Sequence, residues 1–234
     1  MFIVIGIAIG LSLTPKEAKE IKQIISLESE KQVTMNILAI DSTNKGVFSK
    51  LVTNVRPGNG LILLNINNVL ADYYSQNSAR VAAKVAALYT NISLENIDIS
   101  YSIEANATAV EGSSAGSAMA IATIAALQNR QPNPYVVITG SINEDGSFGS
   151  VGAVREKAKA AKEAGASVML VPAGSLRLES NYNEDIKCTQ IGSLKYCEIK
   201  YVPDLADAQN TLGIKVIEVD NVGEALQYFY QPAN

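Results

Sequence analysis

An α+β fold, helices and strands alternating with inserted β-hairpins, is predicted by three features of the 234-residue sequence. Residues 33–67 break into short alternating apolar runs separated by turn clusters, as neighbouring strands do. After residue 110 the pattern changes to alternating helical and strand-like segments, which favours an α/β arrangement. Composition is the third feature: 47% of residues are apolar and 18% charged, against roughly 25% charged in an average soluble domain, with no Trp and four Phe. The core is therefore expected to consist of Ala, Val, Ile and Leu.

The chain opens with MFIVIGIAIGLSL (1–13), an uncharged run ending at Thr14-Pro15-Lys16 and too short for the roughly 20 residues of a membrane-spanning helix. It reads as the apolar part of a secretory signal or as a membrane anchor. No Lys or Arg precedes it, and its β-branched residues between glycines also suit a buried strand. Residues 16–32 are charged and helix-compatible, a linker, so the expected division is an anchor-like segment with its linker (1–32) and one folded domain (33–234).

VTMNILAI (33–40) alternates as a strand, Asp41 to Gly46 is a turn cluster, and a second strand-like run reaches Val55. Arg56-Pro57-Gly58-Asn59-Gly60 turns the chain into a third run, LILLNIN. Residues 70–90 carry apolar positions at helical spacing, and Ile97 to Glu104 alternates again. Then follow a helix (114–128), a strand (135–142), a Gly-rich turn, a helix (154–164) and a strand (Ser167 to Val171). IKCTQIGSLKYCEIKY forms two alternating segments about Ile191-Gly192-Ser193, a hairpin pattern. A disulfide between Cys188 and Cys197 would fit across it, in agreement with an oxidising compartment, although the spacing does not fix the register. A short helix near 204–211, the strand IKVIEV and a helix at 222–230 close the chain.

Several chemistries are excluded. With 19 Lys plus Arg against 23 Asp plus Glu, net charge −4, a nucleic-acid partner is not expected. The absence of histidine rules out Ser-His-Asp and Cys-His catalysis and removes the commonest zinc and haem ligand. There is no G-x-x-x-x-G-K-[ST] loop and no G-x-G-x-x-G after a strand, and two cysteines with scattered carboxylates give no metal-ligand spacing. No metal and no cofactor are expected, and any hydrolase here needs another base.

The informative segment is Val110-Glu111-Gly112-Ser113-Ser114-Ala115-Gly116, where small residues lead from a loop into an apolar helix. A serine at such a boundary lies beside free backbone amides and the positive end of the helix dipole, which stabilise an oxyanion. Serine is also a preferred N-cap, and small residues allow close packing. The second segment runs from Gly149 to Ala166. As a helix starting near Val154 it puts Lys157 on one stripe with Val154, Ala158 and Ala161. Burial there would lower the lysine pKa toward the range in which a neutral amine deprotonates a serine; the bland alternative is one more solvated lysine.

Glu111-Gly112-x-Ser114-Ala115-Gly116, then Thr139-Gly140-Ser141, then E-K-x-x-A-A-x-x-A-G (156–165), in that order and separation, resemble the proteolytic domain of the Lon proteases over roughly residues 33–230. The resemblance implies Ser114 as nucleophile, Lys157 as general base and Thr139 as the residue that positions the amine. It also implies backbone N–H groups around Ser114 as an oxyanion hole, and residues 101–111 along the cleft. Asp-Gly-Pro of the bacterial-type motif is here Glu111-Gly112-Ser113, and Thr-Gly-Glu is Thr139-Gly140-Ser141, variants similar to the archaeal membrane-type enzymes. Ser113 is a second serine beside Ser114, and Ser114 is preferred because Ala-Gly follows it. The family's Gly-Gly before the helix reads Gly152-Ala153.

A rival motif, S-x-x-K at Ser42–Lys45, needs a helix but lies in turn chemistry, without its S-D-N and K-T-G companions. The expectation is thus a Ser-Lys endopeptidase that cleaves unfolded polypeptides bound as an added strand, with a silent Lon-like peptide-binding or assembly domain as the alternative. By resemblance it would form a hexameric ring. Without an ATPase module in this sequence it would act alone or with a separate unfoldase. The apolar N-terminus, the cysteine pair and the missing ATPase point to an extracytoplasmic, secreted or membrane-anchored site.

Overall fold

The computed structural model describes residues 27–66, 71–104, 112–179, 182–192, 194–204 and 210–230. The apolar run 1–13 and Glu111 lie outside them.

Strands β1 (Lys31–Ile40) and β2 (Gly46–Pro57) form a hairpin. Asp41 closes its turn, its Oδ1 accepting from the backbone of Thr43 and Lys45 and from the Thr43 hydroxyl. Ser42 and Lys45 therefore lie in a turn and not on a helix. β3 (Ile62–Ile66) and β4 (Ile97–Glu104) complete a four-stranded sheet of order β1-β2-β4-β3, antiparallel except for the β3–β4 pair.

Between β3 and β4 runs α1 (Tyr73–Thr90), capped by Asp72, whose side chain accepts from the Ser75 N–H, and ended by Asn91 in a left-handed conformation. A 3₁₀ turn at Ser113–Ala115 leads into α2 (Gly116–Leu127), in which every residue is buried. A helix apolar on all sides belongs in the centre of a fold, and α2 packs against α1, β1 and β2. Its small side chains let these elements approach closely, which is how the core manages with little aromatic content. Tyr101 of β4 is fully buried and its hydroxyl meets Thr123 Oγ1 of α2 at 2.7 Å. Since Thr123 donates to the Met119 carbonyl, the tyrosine is the donor, and burial pushes its phenol pKa up.

The second half builds a parallel three-stranded sheet, order β11-β8-β5, from β5 (Val136–Ile138), β8 (Val168–Pro172) and β11 (Lys215–Val219). Its apolar runs are buried on both faces, as parallel strands covered on each side require. Val136, Ile138 and Leu170 join the core around α2 and α5 (Val222–Tyr230). Val137, Met169 and Val171 join a second core under α3 (Val154–Glu163). β1 links the two: Val33, Met35, Ile37 and Ala39 face the first core, and Leu38, on the opposite face, enters the second.

One expectation needs revision, and one element was not anticipated by the pattern. The strand read over 135–142 is two pieces, β5 and β6 (Ser141–Ile142), and β6 pairs with β7 (Phe148–Gly149) in a small hairpin the pattern did not show. A short helix, α4 (Ser175–Glu179), follows β8. Of the helix read near 204–211, residues 205–209 lie outside the described set and 210–212 are helical. β9 (Tyr182–Ile191) and β10 (Leu194–Pro203) form the cysteine hairpin, with Cys188 opposite Cys197 and a disulfide joining them.

Candidate active site

Ser114 sits in the 3₁₀ turn at the head of α2. Two neighbours make that position specific. Gly140 adopts φ 152°, and a Cβ there would come within 2.7 Å of the Pro172 side chain, so glycine is needed where β5 breaks. In this conformation Gly140 N–H donates to the Ser114 carbonyl (2.9 Å), and the Gly140 carbonyl accepts from Ser117 N–H (3.0 Å). Gly116 packs against β6, where a Cβ would lie 2.7 Å from Ile142. The broken strand is therefore docked on the serine turn through its backbone.

On the other side, the first turns of α1 hold the segment preceding Ser114. Asp72 Oδ2 accepts from Gly112 N–H (3.3 Å), Ser75 Oγ donates to the Gly112 carbonyl (3.2 Å) and Ser78 Oγ to the Ser113 carbonyl (3.5 Å). Burial would raise the Asp72 pKa, but the hydrogen bonds from Ser75 and Gly112 outweigh it and hold the carboxyl below its ordinary value. Sequence reasoning missed these three residues as part of the site. Asp72 and Ser75 had the spacing of a helix cap, yet nothing local ties a cap to Gly112, forty positions later.

Lys157 lies on the buried stripe of α3 with Val154, Ala158 and Ala161, and only 3% of it is exposed. Its amine donates to Thr139 Oγ1 at 3.2 Å, and that hydroxyl in turn donates to the Ser114 carbonyl at 3.4 Å. Desolvation lowers the lysine pKa from 10.5 to about 8. Among the described residues no hydrogen bond joins the amine to the Ser114 hydroxyl, and the amine's partner is Thr139. Ser114 and Lys157 line one small cavity of about 60 Å³, together with Ser78, Gly112, Met119 and the β1 segment Ile37–Ile40. Larger hollows of about 500 and 610 Å³ lie elsewhere on the surface and include neither residue.

The structure thus brings Ser114, Lys157 and Thr139 together, with Gly112 and Ser113 in the turn beside them. A partly buried serine at a helix head, lining a cavity shared with a buried amine of depressed pKa, is equipped for nucleophilic acyl chemistry without histidine. The profile of the Lon protease (S16) C-terminal proteolytic domain matches residues 17–208. The chain belongs to the Lon proteolytic-domain family. It is similar to the archaeal Lon protease of Archaeoglobus fulgidus, 26% identical over 198 residues that make up 83% of this chain and 27% of that protein. The archaeal Lon protease of Methanothermobacter thermautotrophicus is 29% identical over 167 residues, 68% of this chain and 26% of the relative. With the Lon protease of Roseiflexus castenholzii the identity is 35% over 124 residues, 51% of this chain and 15% of the relative. The chain spans about a quarter or less of the length of these relatives.

One local difference from the Lon motif has a visible structural consequence. Ala153, where the motif carries its second glycine, adopts φ 55° and ψ 44° just before α3. An alanine in this left-handed region is strained by roughly 1–2 kcal/mol, which glycine would not be.

Proposed function

We propose that the chain is a serine endopeptidase in which Ser114 is the nucleophile and Lys157 the general base. The supporting observation is the buried Lys157 amine, held on Thr139 and lining the same cavity as Ser114. The neutral amine takes the Ser114 Oγ proton as the oxygen attacks the peptide carbonyl carbon. Backbone N–H groups at the head of the serine turn receive the developing oxyanion. The lysine ammonium then protonates the leaving amine, giving an acyl-enzyme and a new amino terminus. In the second half Lys157 deprotonates a water, which attacks the ester carbonyl, and the proton returns to Ser114.

Substrates are unfolded or extended polypeptides. β1 is an edge strand of its sheet and its Ile37–Ile40 segment borders the cavity, so an extended chain has an edge to pair with. Assembly into a ring, cooperation with an unfoldase and an extracytoplasmic location belong to the same proposal and rest on the family resemblance and the N-terminal pattern.

The test is cleavage of casein, with and without ATP, by the wild type, Ser114→Ala and Lys157→Ala, all three checked for folding. Cleavage that vanishes in both variants is the expected result. Persistence in either folded variant would overturn the dyad, and no cleavage by the wild type in either condition would favour a silent peptide-binding domain.

A further inference from the structure

The hollow of about 500 Å³ against the solvent face of α3 takes no part in the chemistry proposed above. Three parts of the chain wall it: the β1–β2 turn, the outer face of α3, and Thr211–Gly213 ahead of β11. Lys45, Arg155, Lys159 and Lys162 line it, together with two carboxylates, Glu156 and Glu163. The balance is positive in a chain whose net charge is −4. The volume falls within the roughly 300–1,000 Å³ typical of small-molecule sites.

Close backbone packing fixes the walls. A Cβ at Gly46 would clash with the Glu156 carbonyl oxygen, so the β1–β2 turn sits directly on the start of α3. Asp41 Oδ1 braces that turn by accepting from Lys45 N–H (3.0 Å), which sets Lys45 at the hollow. On the third wall a Cβ at Gly213 would stand 2.8 Å from Lys162 Nζ, so the glycine leaves the room in which the ammonium lies. Lys159 has Glu156 three positions before it and Glu163 four after it, the spacings at which helix ion pairs form. No such pair is present, and among the described residues Lys45, Lys159 and Lys162 make no side-chain hydrogen bond or ion pair. Charges of both signs therefore line the hollow without neutralising one another.

We propose that this hollow binds a small phosphorylated sugar. The phosphate accepts from the ammonium groups of Lys45, Lys159 and Lys162, which reach it from two different elements. The sugar hydroxyls donate to Glu156 and Glu163, and the carbon face of the ring lies on Leu212 and Ala160, both buried and apolar. A bare inorganic anion is repelled by the two carboxylates, and a neutral sugar gives the three ammonium groups no charged acceptor. The mixed lining thus selects a ligand that carries an oxyanion and hydroxyl donors together. The site is independent of the peptidase reading, since none of its residues lines the Ser114–Lys157 cavity and its test needs no cleavage.

The test is calorimetric titration of the full chain, in mild detergent at low salt, with ribose 5-phosphate, ribose and inorganic phosphate. Ribose 5-phosphate is expected to bind more tightly than either fragment. Lys159→Glu and Lys162→Glu are each expected to weaken it by about tenfold or more. Lys195→Glu, the same charge change on the β9–β10 ribbon, should leave it unchanged. Glu163→Ala is expected to weaken ribose 5-phosphate and to strengthen inorganic phosphate, opposite signs that neither misfolding nor general electrostatics produces. Thermal melting checks that each variant is folded. No saturable binding of ribose 5-phosphate below about 10 mM would overturn the proposal, as would equal losses in Lys159→Glu and Lys195→Glu. Equal affinity for ribose 5-phosphate and inorganic phosphate would also overturn it, reducing the hollow to a surface that attracts anions.

Discussion

The helix that presents Ser114 and the helix that presents Lys157 reach one cavity by opposite means. α2 is buried on every side, and its serine is set by backbone contacts: Gly140 and Thr139 hold the Ser114 carbonyl, while Asp72, Ser75 and Ser78 hold the two residues before it. α3 is amphipathic and begins on a strained alanine, and its lysine is set by burial of one side chain in an otherwise apolar stripe. A nucleophile needs a fixed position, which many weak backbone bonds supply. A base needs a shifted pKa, which desolvation supplies at the expense of stability. The two helices should therefore respond to substitution in different currencies, activity with position on one side and activity against stability on the other.

The largest expected effect is at Lys157. Lys157→Met should lower kcat/KM by at least about 10³-fold, measured on a peptide substrate. The same change should stabilise the fold at pH 7 by something on the order of 3 kcal/mol, from the shift of 10.5 to about 8. Below about 8 the buried amine is protonated and its desolvation opposes folding in full. Between 8 and 10.5 the unfolded chain still binds a proton that the folded chain has released, so wild-type stability rises with pH, and above 10.5 the difference is gone. Urea unfolding of both proteins at pH 7 and near pH 10.5 checks this; an equal gain at both would refute a desolvation origin.

Next is Thr139→Val, which removes the acceptor of the lysine amine. Activity is expected to fall about 10²-fold through loss of positioning. The midpoint of the pH–rate profile should also move below 8, because the ammonium loses a hydrogen bond that favours it. A lower rate with an unmoved midpoint would assign Thr139 to the serine turn alone.

Asp72→Ala should cost about 1 kcal/mol of stability through loss of the α1 cap. If the clamp on Gly112 also holds the nucleophile, kcat should fall while KM stays; a stability loss with unchanged kcat would confine Asp72 to the helix. Because its folded pKa is depressed, the contribution of Asp72 is fully present above 3.8 and lost as the pH falls through the lower folded value. The smallest effect expected is at Ala153→Gly, a gain of about 1 kcal/mol in thermal unfolding with activity unchanged.

Much of this was readable from local pattern. Helical periodicity put Lys157 on the stripe of α3 that is buried, and alternation delimited most strands to within a residue or two. What escaped was non-local. The apolar run 135–142 reads as one strand because the reason for its break, Gly140 wedged against Pro172 and bonded to the Ser114 turn, lies 25 residues and more away. The Asp72–Gly112 clamp is hidden for the same reason. The hairpin register was open because a two-residue slip keeps the same faces, whereas the structure sets Cys188 directly opposite Cys197.

The proposed role of Lys157 is to activate Ser114 as a buried neutral amine. It is tested most directly by covalent labelling with a serine-directed phosphonate, followed by intact mass and peptide mapping between about pH 6 and pH 10. The expected result is a label on Ser114 whose rate rises about tenfold per pH unit and levels near the Lys157 value of about 8, with the plateau lost in Lys157→Ala. Label on another residue, or the same profile in wild type and Lys157→Ala, would contradict it.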